Sequence, residues 1–510
     1  MLVVMRRRTK IVLGLLGALL VLGGLAAWKV HTWGQPVPVA YRRVAVTPAK
    51  PGGGRSFTYV RVDARGQPGD RWVAVDTDSD GTVDQVLTEG DAPASFARPA
   101  ATDPDARWLI LCLDGVPYQE MLALWEESYF REFFRPAPLI SPFPSDSESA
   151  LTDVFHAGPV PGYEHRYFDR ARNRLAGGAL TTLTGQNIPY LELLDYDMPG
   201  YFKGVTYLLP HKSYRADLGR FRKRFLASQE KVFLAHIASS DSLYHILPKE
   251  EMRELLTEVD SLLRELYFDS GGKLRITLFS DHGNSLAKSR PVPLKQFLES
   301  RGWNLRDRLK GPRDVAVPAY GLVGFIAVYV QAGAQAEVAT DLALMEGVDL
   351  VVYEGSSELV VQSRKGKARL GRFEFAESGT VFVYEAEGGD GRYDVLELTE
   401  LAGQDPVIGD SLIVMHRYPD VGYRLWQWAT NHVENRADII VSLKPGYYYG
   451  SGTFQHFVTI RSTHGALDAA QSLGFAMSTD APLPGPLRSK DLLPENLKRR
   501  KSESENRNSD

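Results

Sequence analysis

The chain has 510 residues, more than one ordinary hydrophobic core organises, so two or more structural units are expected. Its 44% hydrophobic and 24% charged residues are a normal globular balance, and a net charge of -4 leaves no basic footprint for a nucleic-acid polymer. A single cysteine, Cys112, excludes an intramolecular disulfide.

The N-terminus carries a location signal. Arg6, Arg7, Arg8 and Lys10 precede an uncharged run from Ile11 to Trp28, just long enough to cross a bilayer. Basic residues before the run predict the N-terminus inside and the bulk of the chain outside. Residues 1–30 therefore read as a single-pass membrane anchor. A cleaved signal peptide is the competing reading, although Leu25-Ala26-Ala27 is a poor cleavage site. Either way the catalytic part lies outside the cytoplasm, in the periplasm if the source is bacterial.

Residues 31–104 read as a stalk followed by a small β unit of two or three strands, on alternating runs such as Phe57-Thr58-Tyr59-Val60-Arg61-Val62. Within it, Asp76-Thr77-Asp78-Ser79-Asp80-Gly81 resembles the start of a calcium loop. Position twelve of an EF-hand would be Glu and is Leu87, though Asp84 can contribute. Asp76, Asp78 and Asp80 thus stand as a candidate Ca2+ site, with an acidic hairpin turn as the other reading.

From residue 105 an α/β grammar begins. The apolar runs Trp108–Leu113, Val232–Ile237 and Leu274–Phe279 each end in polar residues, and helical stretches follow near Pro117–Phe134 and Pro248–Phe268. Ile439–Leu443 is a late run of the same kind. Short buried strands alternating with helices predict an α/β fold: three layers around a mostly parallel sheet. Between residues 337 and 418 several short strands with Gly-rich turns read as an inserted β-rich cap. The catalytic domain would span 105–336 and resume at 419–485, and residues 486–510 read as a disordered charged tail.

Ionisable residues gather where active sites of such sheets lie, at the carboxyl ends of the strands. Asp241 and His245, four apart after an apolar strand, can reach one metal ion. Asp281 and His282, followed by Gly283, put an oxygen and a nitrogen ligand on a tight turn, which suits a zinc-like ion. Asp114-Gly115 and His464-Gly465 are each weak alone. Pro142–Ser149 is a hydroxyl-rich loop before a helix, where Ser145, Ser147 or Ser149 would meet the anion-favouring N–H groups of a helix start or serve as an ordinary cap.

The order of these pieces carries more than any one of them. Asp, loop Ser, Asp-x-x-x-His, Asp-His-Gly and His-Gly, over Trp108–Ser289 and Ala437–Met477, resembles the alkaline phosphatase superfamily, nearest to the type I phosphodiesterase/nucleotide pyrophosphatase family. The resemblance implies one metal held by Asp241, His245 and His464, and a second by Asp114, Asp281 and His282 with the nucleophile oxygen. It implies Ser147 as nucleophile, with Ser145 and Ser149 as alternatives, because Gly158 follows at one residue more than the usual spacing. Two divalent ions, zinc by ligand type, would serve hydrolysis of a small phosphate ester through a phosphoseryl intermediate. A phosphotransferase, or a tethered binding protein without catalysis, would carry the same motifs. One departure touches the substrate: the phosphate-orienting Asn of the family falls on Asp169, with Asn173 four residues later. A sulfatase is disfavoured because Cys112 lies within a strand, where it reads as a small buried hydrophobe. Tyr447-Tyr448-Tyr449 reads as core or strand pairing rather than a base-stacking wall.

Overall fold

A computed structural model describes residues 34–497, except 48–54, 64, 90–94, 101, 179–187, 201–204, 320, 376–378, 388–393, 399–406, 410–413, 431–432, 451–458 and 496. The expected anchor at residues 1–30 lies outside the described residues. Among the described residues no helix is long and apolar enough to cross a membrane.

The N-terminal unit is larger than expected. Tyr41–Thr47, Ser56–Val62, Pro68–Val75, Gln85–Glu89 and Ser95–Ala97 form a five-stranded antiparallel sheet in sequential order. Part of the supposed stalk is its first strand. Tyr41, Tyr59 and Trp72 close around Phe268 at the end of the Lys249–Asp269 helix, with ring centroids 5.0–5.6 Å apart. The Tyr41 hydroxyl donates to Asp269 at 2.6 Å. The unit is thereby fastened to the α/β body by aromatic packing worth about 0.5–1.5 kcal/mol per ring pair beyond area burial.

The central sheet has six strands in the order Val232–Ile237, Arg107–Leu113, Leu274–Phe279, Leu473–Ser478, Ala137–Ile140, Leu487–Arg488. The first three are parallel, and Leu473–Ser478 runs antiparallel to both its neighbours. Side chains of one strand alternate between faces. Leu109, Leu111 and Leu113 join Leu218, Phe221, Leu255 and Leu262 from helices Pro210–Ala227 and Lys249–Asp269. Ile110 and Cys112 join Leu151, Val154 and Phe155 at the Ser147–Val154 helix. Cys112 is 0% exposed, within this apolar cluster. Covered on both faces, the strands read as continuous apolar runs.

Three expectations are corrected. Ile439–Leu443 is not in this sheet. It sits in the middle of a second, nine-stranded sheet, antiparallel to Phe325–Val330 on one side and Val348–Glu354 on the other. A strand buried on both faces looks the same whether its neighbours are parallel or not, so the apolar run alone misassigned it. The strands within 337–418 form no separate cap: Val348–Glu354 pairs directly with Ile439–Leu443, and Leu359–Gln362, Lys367–Phe375, Gly379–Ala386 and Val407–Gly409 continue that sheet outward. The charged tail does not begin at 486. Leu487–Arg488 pairs with Ala137–Ile140, Arg488 binds Asp420 at 2.7 Å, and Leu493 and Leu497 are buried in the core. Tyr447–Gly450 is a strand, paired with Arg290–Pro291 and Leu322–Val323.

Candidate two-metal centre

Three parallel strands end flush, with Ile237 opposite Leu113 and Phe279 opposite Cys112. The residues that follow them therefore meet at one edge. Asp114 follows the first strand directly. Ser280, Asp281 and His282 follow the third. The second runs into the short helix Ser239–Tyr244, which places Asp241 and His245 one turn apart, so that His245 Nε2 lies 3.1 Å from Asp241 Oδ2. His464 arrives from a distant loop that bridges Gly465 to Ser145 and hydrogen-bonds Gly324 N–H to the His464 carbonyl at 2.6 Å.

Two sets of side chains result. Asp241, His245 and His464 offer ligand atoms within 4.8 Å of one another, and so do Asp114, Asp281 and His282. The sets are neighbours: the His282 and His464 rings stack at 4.1 Å, and His464 lies 5.3 Å from His245.

The histidines are oriented for metal binding. The Nδ1 of His245 meets the Ser462 carbonyl at 2.8 Å, that of His282 the Gly283 carbonyl at 2.9 Å, and that of His464 the Ser145 carbonyl at 3.2 Å. A carbonyl only accepts, so each Nδ1 carries a proton and each Nε2 is turned toward the carboxylates of the centre. Asp281 is 0% exposed. Its Oδ1 accepts from the N–H groups of Gly115 and His282 at 3.0 and 3.1 Å, while its buried Oδ2 has no hydrogen-bond partner. A buried, unpartnered carboxylate oxygen costs several kcal/mol unless a cation meets it, on the order of the desolvation penalty of a charged group. The donor set fits divalent metal.

The electrostatics agree. Burial first, and then the nearby Asp281 charge, push Asp114 up to about 7. Burial also raises Asp241, but the His245 and His464 charges outweigh it and hold the carboxyl well below its usual range. Burial, then the charge of His282, takes His464 down to about 3.

Of the three serines, Ser147 is the one whose hydroxyl lies against side chains of the centre. It is the first residue of the Ser147–Val154 helix, capped by Asp146, whose side chain accepts from Ser149 N–H. Ser147 Oγ donates to Asp114 Oδ1 at 3.2 Å and lies 3.4 Å from His282 Nε2. Ser145 is buried among Pro142 O, Ala466 O and the Arg424 guanidinium. Gly158 lies in the loop after the helix.

No family model matches the chain, and no curated protein matches it. Among solved structures it is similar to human ectonucleotide pyrophosphatase/phosphodiesterase 5, at 13% identity over 76% of this chain and 92% of that one, with a TM-score of 0.41. It is also similar to phosphonoacetate hydrolase from Sinorhizobium meliloti, at 13% identity over 78% of this chain and 95% of that one, with a TM-score of 0.39. In the order of its motifs the chain resembles the alkaline phosphatase superfamily.

Asp169 and Asn173 are not brought to the centre. Asp169 accepts from the Arg172 N–H and guanidinium at 2.9 and 2.8 Å, and Asn173 exchanges hydrogen bonds with the Leu309 backbone.

Other residues at the centre escaped the sequence reading. His236 joins Asp114 Oδ2 at 3.0 Å to Asp197 Oδ1 at 2.9 Å. Burial opposes its charge, but the hydrogen bonds to these two carboxylates win and push it up to about 10. The signal was a lone polar residue inside Val-Phe-Leu-Ala-His-Ile. Asn284 donates to Asp241 Oδ1 at 3.2 Å and accepts from Ser462 at 2.6 Å. Glu164 has a positive φ of 49° and a carboxyl raised well above its usual range by burial and by Asp146 and Glu148. No sequence pattern marks these two.

Proposed function

We propose that this protein is a metal-dependent hydrolase of phosphate esters acting through Ser147. The observation that carries the reading is the placement of Ser147 Oγ between Asp114 Oδ1 and His282 Nε2, beside two adjacent carboxylate–histidine triads. Asp241, His245 and His464 would hold one divalent ion, and Asp114, Asp281 and His282 the other. Zinc suits these mixed nitrogen and oxygen donors. When bound, such ions supply charge stabilisation for the attacking and leaving oxygens of an in-line displacement and lower the pKa of the serine hydroxyl.

The chain's own residues do the rest. Asp114 accepts the Ser147 hydroxyl and orients it. Ser147 Oγ forms a bond to phosphorus as the bond to the leaving oxygen breaks, and the seryl proton passes to solvent or to the leaving group. Water then attacks the phosphoserine, releasing the phosphate product and restoring the hydroxyl. The Asp169 carboxylate is engaged by Arg172 and is assigned no part in this reading.

The reading extends to location: residues 1–30 anchor the chain, with the centre outside the cytoplasm. A C-terminal tag found in the cytoplasm would refute that part. The test of the chemistry is elemental analysis of full-length protein never exposed to chelator, together with turnover of aryl phosphate mono- and diesters. Two equivalents of transition metal and hydrolysis of one ester class are expected. Metal-free, inactive protein would overturn the proposal.

A further inference from the structure

The acidic turn of the N-terminal sheet is the strongest feature that this function leaves unused. Asp76, Asp78 and Asp84 offer oxygens within 4.8 Å of one another, between the Pro68–Val75 and Gln85–Glu89 strands. Asp80 lies in the same turn, its Oδ1 accepting from Thr82 N–H at 2.7 Å. Three like charges at this separation repel each other unless something positive lies among them. Among the described residues none of the four carboxylates is in an ion pair. Two cations lie against the turn and both are engaged elsewhere: Arg131 Nη1 donates to the Gly81 carbonyl at 2.7 Å with its guanidinium over the Trp125 ring, and Arg98 Nη2 donates to the Val83 carbonyl at 2.9 Å.

A separate observation points to a ligand. Asp76 is only 3% exposed. Its Oδ2 accepts from Gly81 N–H at 3.1 Å, and its Oδ1 is buried with no hydrogen-bond partner. Solvated surface acids do not need such burial, and a buried carboxylate oxygen left bare is costly. A cation held by Asp76 Oδ1 and its neighbours removes that cost.

We infer that this turn is a Ca2+ site, with Asp76, Asp78 and Asp84 as carboxylate ligands. The donors are all oxygen, with no nitrogen or sulfur, which selects a hard cation over zinc. Asp84, nine positions into the loop, supplies the carboxylate that Leu87 at position twelve does not. Calcium accepts flexible, irregular oxygen geometry, and Mg2+ demands a near-ideal octahedron that three carboxylates on one turn do not build alone.

The position gives the ion a purpose. Gly81, at φ +92°, lies so close to Trp125 and Arg131 that a Cβ there would come within 2.9–3.0 Å of both. Val83 N–H donates to the Arg131 carbonyl at 2.7 Å. Trp125 belongs to the Tyr118–Glu126 helix, which begins four residues after Asp114. Calcium would stiffen the turn that clamps the N-terminal sheet onto the helix leading out of the catalytic edge.

The test is calcium titration of the full chain by calorimetry, with its transition metals left in place and without chelator. One Ca2+ is expected, with a Kd of about 0.1–1 mM, typical of extracellular modules. At 10 mM CaCl2 the thermal midpoint should rise by about 1–3 °C, and 10 mM MgCl2 should give less than half of that rise. Asp78→Asn changes an exposed residue and should fold, while weakening calcium binding at least tenfold. No calcium uptake by the wild type up to 10 mM would overturn the inference. So would uptake that survives Asp78→Asn and disappears in Asp241→Asn, since the ion would then belong to the catalytic edge.

Discussion

Gly115→Ala tests the centre through a residue that is not itself a ligand. Gly115 has φ +71°, and a Cβ there would lie 2.7 Å from Asp241 Oδ1 and 3.1 Å from Asn284 Nδ2. Two costs follow. The left-handed backbone costs an alanine about 1–2 kcal/mol. The methyl must also push Asp241 away by about 0.7 Å to reach the 3.4 Å of ordinary contact. A functional group has to be held within about 0.5 Å of its working position, so this displacement should loosen a ligand. Disturbing the partners of a ligand costs about 10–100-fold in metal affinity. Gly271→Ala is the control: its φ is +61° and nothing lies within 4 Å of the added Cβ, so it meets the backbone cost alone. The assay is metal retention after dialysis against a graded series of weak chelators, with thermal melts of both variants. The Gly115→Ala midpoint should fall below that of Gly271→Ala, which lacks the clash, and Gly115→Ala should retain one metal equivalent at least tenfold more weakly. Equal retention in the two variants would refute the placement of Asp241 as a ligand held against Gly115.

Further outcomes are expected. Ser147→Ala should keep the bound metal and lose turnover by as much as 10⁶-fold, on the order of the loss when a hydrolytic triad loses its nucleophile. Ser145→Ala should instead keep turnover and lower the thermal midpoint, because Arg424 loses a buried acceptor at 2.9 Å, worth about 1–3 kcal/mol; phosphate trapped on Ser145 or Ser149 at acid pH and mapped by mass spectrometry would reverse the assignment. His236→Phe should weaken metal retention about 10–100-fold by freeing Asp114 from its buried partner, and unchanged retention would show that Asp114 is oriented without it. Arg264→Met should destabilise the protein by about 3–5 kcal/mol in denaturant melts, since it leaves Glu132 and Asp260 buried without their shared cation; a loss under 1 kcal/mol would show that the two carboxyls fold neutral.

The sequence displayed the site better than the architecture around it. Asp114, Asp281 and His282 sit at the ends of apolar runs and Asp241 four residues beyond one, so their meeting follows once the runs are parallel neighbours in one sheet. His464 needed the order of all the motifs together, because nothing local to Ser-Thr-His-Gly distinguishes it from a surface loop. His236 and Asn284 act through hydrogen bonds across the sheet edge, and such partnerships leave no spacing to read. Ile439–Leu443 was misplaced because hydrophobicity records burial and not strand direction. The extent of the N-terminal sheet was missed because the apolar residues of Tyr41–Thr47 do not alternate with polar ones and all but Tyr41 are exposed, so no buried face announces a strand.

The long detour between His282 and His464 sets an order of events during synthesis. One triad is complete once residue 282 has emerged, yet the other waits for a residue 182 positions later, after the whole second sheet. Contacts so distant along the chain form late, since loop closure must precede them. Ser145, although made early, is locked only when Gly465 bridges to it and Arg424 reaches its hydroxyl. The nascent chain therefore passes through a stage with one triad and an unsecured Ser145–Ser147 loop. A ribosome-stalled chain ending near residue 420 should have the ligands for a single metal and be unable to turn over ester, so that activity begins only when the last tenth of the protein is in place.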